Sequence, residues 1–473
     1  MVIIDDEEQP KGQGNAAPAP EVQPPPAYST TSVATSSSAN QPLLPSLVAN
    51  PRYTVPVPEV VLYTEPAGKR FLKAFGVAIL VWILLGMVTN SITEAGYSKR
   101  QDMEYDDLHT AWPLPRDGKP VRCTRSAMDW SHKDAQAVAS FDLPLGANVL
   151  YLLSRGLQSS GKVIITQDER SYGTDKVHID VAGLHSTPIN LHAVTVCSLE
   201  RKPGHYGIGI FTPRRWRTSS RLPALDFEVT IRFPKLASDD PLRISSLQTT
   251  LENFSHHIGD LKDRVVFESL SIAGINAAIT SESVNVVRAN IGTSNGRISG
   301  HFSSSESLVL STSNGAINAD VTLYNDGERS RTSLTLKNSN GPITSSINLA
   351  STTSNHTGGM YDVVGGADNG RLIMDFPTAP VDSQLTLRAS TSNAPVDVSL
   401  HPTYEGTFKL TTSNGEATIN MNSEVQDPSG RGRLRSIETW GKNSSTRGQV
   451  IWGGEHLGAI VISTKNAGAK LSG

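Results

Sequence analysis

The feature that most restricts this chain is a short polar phrase that keeps returning. Thr293-Ser294-Asn295-Gly296 recurs as Thr312-Ser313-Asn314-Gly315, Asn338-Ser339-Asn340-Gly341, Thr391-Ser392-Asn393-Ala394 and Thr412-Ser413-Asn414-Gly415, with Asp368-Asn369-Gly370 as a shortened copy. The anchors Asn295, Asn314, Asn340, Asn369, Asn393 and Asn414 lie 19, 26, 29, 24 and 21 residues apart. Three, five and seven residues after an anchor come sets such as Ile317/Ala319/Val321, Ile343/Ser345/Ile347 and Val396/Val398/Leu400. Leu308/Leu310, Leu334/Leu336, Leu387/Ala389 and Phe408/Leu410 precede four of the anchors. Period two on both sides of a turn means strand, turn, strand, with one face inward. Asn-Gly is expected to supply positive φ at the turn, which makes the asparagines structural. Asn276 and Asn466 fit as outer, degraded copies.

A period of about 20–30 residues reads as stacked repeats, each covering its neighbour's apolar face. The expected fold is mainly β, with a repeat β-solenoid over residues 248–473. An antiparallel β-sandwich stays open as the alternative, because Asn-Gly is also a strong hairpin signal. Residues 137–247 hold short apolar runs such as Lys176-Val177-His178-Ile179-Asp180-Val181 between Gly, Pro and Asp. Alternation and β-branched content predict strands there, in a sandwich-like unit.

The N-terminal end is different in kind. Residues 1–68 contain no Phe or Trp and hold twelve of the 28 prolines. Such a stretch cannot bury enough apolar surface to offset its ordering entropy, so a disordered tail is expected. Within it, Pro25, Pro26 and Tyr28 form a Pro-Pro-x-Tyr motif. That pattern suits the aromatic groove of a WW domain, and it also arises by chance in proline-rich linkers. Ala74 to Ile92 is a run of 19 residues without formal charge, close to the ~20 that cross a bilayer as a helix. Lys69, Arg70 and Lys73 precede it directly, which predicts a cytosolic N-terminus. The expected order is tail (1–68), one transmembrane helix with its flanks (69–95), a juxtamembrane linker (96–136) and the two β regions. The expected location is the plasma membrane or the secretory pathway.

Two further features agree with an outward C-terminal region. The glycosylation sequons at Asn253, Asn355 and Asn443 all follow the span. So do the two cysteines, Cys123 and Cys197, which an oxidising compartment would let pair.

The segments LSTSNGAINADVTL, LTLKNSNGPITSSINL and LRASTSNAPVDVSL resemble the repeats of adhesin-like β-solenoid domains. A proline-rich tail, one span and such repeats, in that order, are similar to membrane proteins of basidiomycete fungi. The resemblance implies a solenoid at the cell surface or in the secretory pathway, and it carries over no catalytic residue and no cofactor.

Other matches dissolve on inspection. Gly156 to Lys162 has phosphate-loop spacing, but Val163 stands where Ser or Thr ligates magnesium, and a strand-like run follows. Gly292 to Gly296 fits Gly-x-Ser-x-Gly, yet Ser294 belongs to a repeated turn rather than a strand-to-helix elbow. His256-His257 reads as a surface loop. Asp320 and Asp375 share a repeat offset, with Ser346 in the copy between them, which disfavours a close carboxylate pair. Tyr324, Tyr361 and Tyr404 are candidates either for stacking on sugars or for packing. The net charge of −3 argues against a nucleic-acid binder. The expected function is therefore non-enzymatic binding of a glycan, wall polymer or protein by the outer domain. Alternatives are a membrane adaptor for a WW-domain ubiquitin ligase and a carbohydrate-active β-helix enzyme.

Overall fold

The computed structural model describes residues 113–124, 131–133, 136–156, 159–172, 175–184, 194–212, 225–327, 330–442, 444–453 and 458–473. The tail motif at Pro25, Pro26 and Tyr28, the apolar run Ala74 to Ile92 and the sequon at Asn443 lie outside them. No helix among the described residues is long and apolar enough to cross a membrane.

Alternating apolar residues produce 28 strands and one 3-10 turn among the described residues. In the repeats, strands flanking a turn do not pair with each other as a hairpin. Each pairs in parallel with the equivalent strand of the next repeat. Ile317–Asn325 pairs in parallel with Ile343–Ser351 over nine positions, from Ile317↔Ile343 to Asn325↔Ser351. Thr332–Asn338 pairs in the same way with Met360–Ala367. The result is two rows of strands. A front row holds the strands that enter each Asn turn, and a back row holds those that leave it. The long strands Ile279–Thr293 and Ile298–Thr312 run through both rows, with a register shift where they cross.

The rows turn their apolar sides toward each other. Ile298, Phe302, Ile317, Val321, Ile343, Ile347, Leu372 and Met374 from the back row meet Leu308, Leu310, Leu334, Leu336, Val363 and Leu387 from the front, in one buried cluster. Ala417, Ile419 and Met421 are only partly buried, because Ala417–Asn420 pairs on one side alone, with Ala469–Ser472. The uneven repeat length has a local cause. No loop separates the rows in Ile298–Thr312, whereas residues 326–331, 352–359 and 379–383 connect them in later repeats. Length varies at the edge opposite the Asn turns.

The stack does not follow chain order to its end. The last repeat strand, Gly458–Thr464, pairs in parallel with Gln384–Thr391 on one side and Gly406–Thr412 on the other. Ala469–Ser472 likewise sits between Val396–Ser399 and Ala417–Asn420. The C-terminal segment is thus inserted one repeat back, and Asn466 is an interior member of the series, not an outer one. The hairpin Ser436–Lys442 with Ser445–Ile451 then pairs antiparallel against Gly406–Thr412 and covers its open edge.

Pairing also continues across position 247. Leu247–Thr250 lies parallel to Val149–Arg155 and to Val265–Ala273. Upstream the strands are mostly antiparallel, as in Gln136–Pro144 with Lys176–Leu184 and Lys176–Leu184 with Leu225–Lys235. Lys119–Thr124 pairs with Thr195–Lys202, and Cys123 faces Cys197 directly. The two cysteines form a disulfide. Beside it, buried Asp117 accepts from the Arg155 guanidinium at 2.9 Å, and the Tyr151 hydroxyl donates to the Asp117 carbonyl at 2.9 Å.

Candidate ligand-binding face

Because every second residue of a strand points outward, parallel in-register stacking turns single positions into rows. One outward row of the front sheet reads Ser311, Lys337, Gly366, Ser390, Ser463 and Thr411 on consecutive strands. With the turn residues Ser339, Asp368, Ser392, Ser413 and Lys465, most of this row borders a trough of about 620 Å³. Gly366 gives the trough a bare floor, since a Cβ there would meet only the Ser390 hydroxyl, at 3.9 Å. The lining is hydroxyls, two ammonium groups and one carboxylate. Such groups donate and accept hydrogen bonds across several repeats at once, which fits an extended polar ligand.

A second groove, of about 450 Å³, opens on the same sheet near the C-terminal hairpin. Its walls include Trp440, Arg447, Lys409 and Val461. Trp440 is 48% exposed and Val461 42% exposed. Sequence reasoning missed Trp440. The available signal was alternation in Ile437-Glu438-Thr439-Trp440-Gly441, where Trp440 shares a face with Glu438 and not with the partly buried Ile437.

The Asn edge runs alongside. The Asn276 amide Nδ2 donates to Asn253 Oδ1 at 2.7 Å, Asn295 to Asn276 at 2.8 Å, and Asn314 to Asn295 at 2.6 Å. The series continues through Asn340 at 2.7 Å, Asn369 at 2.8 Å and Asn393 at 2.6 Å. It closes with Asn466 donating to Asn393 at 2.7 Å and Asn414 to Asn466 at 2.8 Å. Each amide therefore donates to the previous rung. Beneath it, Thr293, Thr312, Asn338, Thr391, Thr412 and Thr464 are buried. Thr312 Oγ1 donates to the Gly296 carbonyl at 3.1 Å and accepts from Gly315 N–H at 3.2 Å.

The turn glycines correct an expectation. None of Gly296, Gly315, Gly341, Gly370 and Gly415 has positive φ. Glycine is required there by close approach instead: a Cβ on Gly315 would lie 1.8 Å from the Gly296 carbonyl oxygen, and one on Gly370 would lie 1.8 Å from that of Gly341.

Asn253 is half-buried as the first rung, and its Nδ2 faces the Ser159 carbonyl at 3.5 Å. Asn355 is exposed in the 352–359 connection. His256-His257 lies on the strand Phe254–Asp260, not in a loop. His256 points inward, 1% exposed, and burial lowers its pKa to about 4. A carbonyl only accepts, so Nδ1–H donates to the Phe254 carbonyl, and Nε2 accepts from the Thr249 hydroxyl at 2.9 Å. His257 faces outward beside Glu282.

Asp320, Ser346 and Asp375 lie on successive back-row strands, so the two carboxylate-bearing positions are two strand steps, about 9.6 Å, apart. Asp320 pairs with His301 at 3.1 Å, and neither aspartate borders the two troughs. Tyr361 and Tyr404 are packing residues, buried with their hydroxyls donating to the Ala350 and Thr407 carbonyls. Burial pushes both phenols well above their ordinary pKa. Among the described residues no group of three His, Cys, Asp or Glu side chains is placed to hold a metal ion. The Ser294 turn and the Gly156 loop each lead into a strand, as Ile298–Thr312 and Ser159–Tyr172.

Comparison with known proteins adds two findings. Residues 299–428 match a family model described as a domain of unknown function, DUF7330. The chain is also similar to a solved structure from Clostridium sporogenes described as a putative cell adhesion protein, at 10% identity and a TM-score of 0.16, covering 71% of this chain and 99% of that one. No curated protein matches.

Proposed function

We propose that this chain is a non-enzymatic, single-pass membrane protein whose outer β-solenoid binds an extended polymer, a glycan or wall polysaccharide. In this reading Ala74 to Ile92 spans the membrane, with the N-terminus in the cytosol and the repeats on the surface or in the secretory lumen. The tail, through Pro25, Pro26 and Tyr28, recruits a WW-domain protein, and a ubiquitin ligase that controls turnover through Lys11 or Lys69 would fit. The Lys and Arg residues directly before the apolar run, and the sequons and cysteines that all follow it, support this order of parts. The observation that carries the binding claim is the hydroxyl-lined trough spanning successive repeats of the front sheet, with Gly366 as its floor.

Gly366→Tyr tests it. The new side chain points into open space, so the trough is filled without disturbing the core. Retention of full-length protein on an insoluble wall polysaccharide should fall about tenfold, a loss of about 1.4 kcal/mol. Retention equal to wild type, with an unchanged melting curve, removes the trough as the contact surface.

A further inference from the structure

We infer that the groove at the C-terminal hairpin is a subsite for an acidic polysaccharide, with Trp440 stacking on a sugar ring and Arg447 and Lys409 binding its carboxylates. This rests on the polymer-binding reading above and names the chemistry of the polymer. The register places the three side chains in line. Trp440 lies opposite Arg447, and Arg447 opposite Lys409, on three adjacent strands. Lys409 is followed by Val461 and then Arg388 on the next two strands. At about 4.8 Å per strand, the line from Trp440 to Arg388 is about 19 Å long.

Its composition selects the ligand. Trp440 shows half its surface, whereas the other large aromatic side chains among the described residues are mostly buried. An exposed indole offers a flat apolar face with a polar edge, at little entropic cost on binding. Lys409 and Arg447 are exposed and make no ion pair with any described residue. Arg388 is weakly engaged, 3.9 Å from Asp362. The nearest acid on this face, Glu438, already accepts from Gln449 Nε2 at 2.6 Å. Two free cations beside an aromatic face favour an anion with a stacking surface. The hydroxyls nearby, Thr407 in this groove and Ser390 and Thr411 in the first trough, favour a hydroxyl-rich polymer over a nucleic acid or a lipid surface.

The test uses the full-length chain in detergent with four probes: polygalacturonate, the same polymer fully methyl-esterified, a single-stranded oligothymidylate, and vesicles rich in anionic phospholipid. Polygalacturonate should bind best. Its affinity should fall at least about tenfold on raising salt from about 0.05 to about 0.3 M. Lys409→Gln with Arg447→Gln should remove that salt dependence, and Trp440→Ala should weaken binding at every salt concentration. Both variants change exposed side chains, and an unchanged melting temperature verifies the fold. Equal binding of the esterified polymer overturns the acidic subsite and leaves the polymer-binding reading standing. Tighter binding of the oligonucleotide or the vesicles overturns the sugar assignment. No binding of either polymer, with retention on wall polysaccharide that is still lost in Gly366→Tyr, overturns the subsite alone. Loss of all retention in the wild type overturns both.

Discussion

The two halves of the β region hold their register by different means. Upstream of residue 247, strands far apart in sequence pair mostly antiparallel, and point contacts secure them: the Cys123–Cys197 bond, the Asp117–Arg155 pair, and Asp180 held by Arg232 and Ser140. These interactions hold the Asp180 carboxyl below its ordinary pKa despite the opposing effect of its burial. Downstream, each repeat reads its register from the one before it. The Asn amides repeat at every step, and the buried Thr hydroxyls and glycine-to-carbonyl contacts repeat at most of them. One half depends on a few unique contacts, the other on many equivalent ones. Damage should therefore be concentrated in the first and graded in the second, except where the stack departs from chain order.

That exception carries the largest expected effect. Ending the chain before Gly458 removes strands that sit between two repeats, and exposes the edges of Gln384–Thr391 and Gly406–Thr412 together. Loss of cooperative unfolding in the C-terminal half, read by hydrogen exchange, is expected. Protection of Gly406–Thr412 as strong as in the full chain would show that the inserted strands do not hold the C-terminal repeats. Next comes Cys197→Ser. The bond spans a sequence separation of 74, and a closed loop of that size is worth about 4 kcal/mol in the chain-entropy view. The urea midpoint should drop, with the loss of protection confined to strands near Lys119–Thr124 and Thr195–Lys202. A uniform loss across the repeats would contradict two modes of support.

His256, at the junction, gives a pH signature. Its folded-state pKa is depressed, so below about pH 6.5 the unfolded chain gains a proton that the folded chain refuses. Stability should fall as pH drops from about 6.5 to about 4, by up to about 3 kcal/mol. His256→Gln should flatten that slope in urea titrations at stepped pH. Within the repeats, Gly315→Ala meets a carbonyl and should cost about 1–3 kcal/mol. Asn340→Ala removes one exposed rung and should cost about 1 kcal/mol or less. Calorimetry that ranks Asn340→Ala above Gly315→Ala would mean that the amide ladder, not close backbone packing, sets the turn.

The alternation around each Asn turn was legible in the sequence because strand period and burial obey the same rule. The paired positions Leu334/Leu336 and Ile343/Ile347 are buried in the structure as the pattern requires. The reason for glycine was not legible, since positive φ and close approach call for the same residue. Stacking of the repeats was legible in their period, but turn chemistry reports a reversal of direction and not the partner, which is why antiparallel pairing stayed open as the alternative. Asn466 looked peripheral by its number and is interior by its contacts, because nothing local signals an insertion. The line of Lys409, Arg447 and Trp440 escaped notice for a related reason: the three are scattered in sequence and align only through strand register.

The proposed polymer-binding face requires the repeats to lie outside the cytosol. The most direct measurement is the electrophoretic mobility of the full-length protein before and after glycosidase treatment, with Asn253, Asn355 and Asn443 each changed to Gln. A glycosidase-sensitive shift is predicted that Asn355→Gln reduces, since Asn355 is exposed, and that Asn253→Gln leaves intact, since Asn253 is half-buried with its Nδ2 turned to the Ser159 carbonyl. No shift at any site, together with cleavage of the repeats by protease from the cytosolic side of intact membranes, would contradict it.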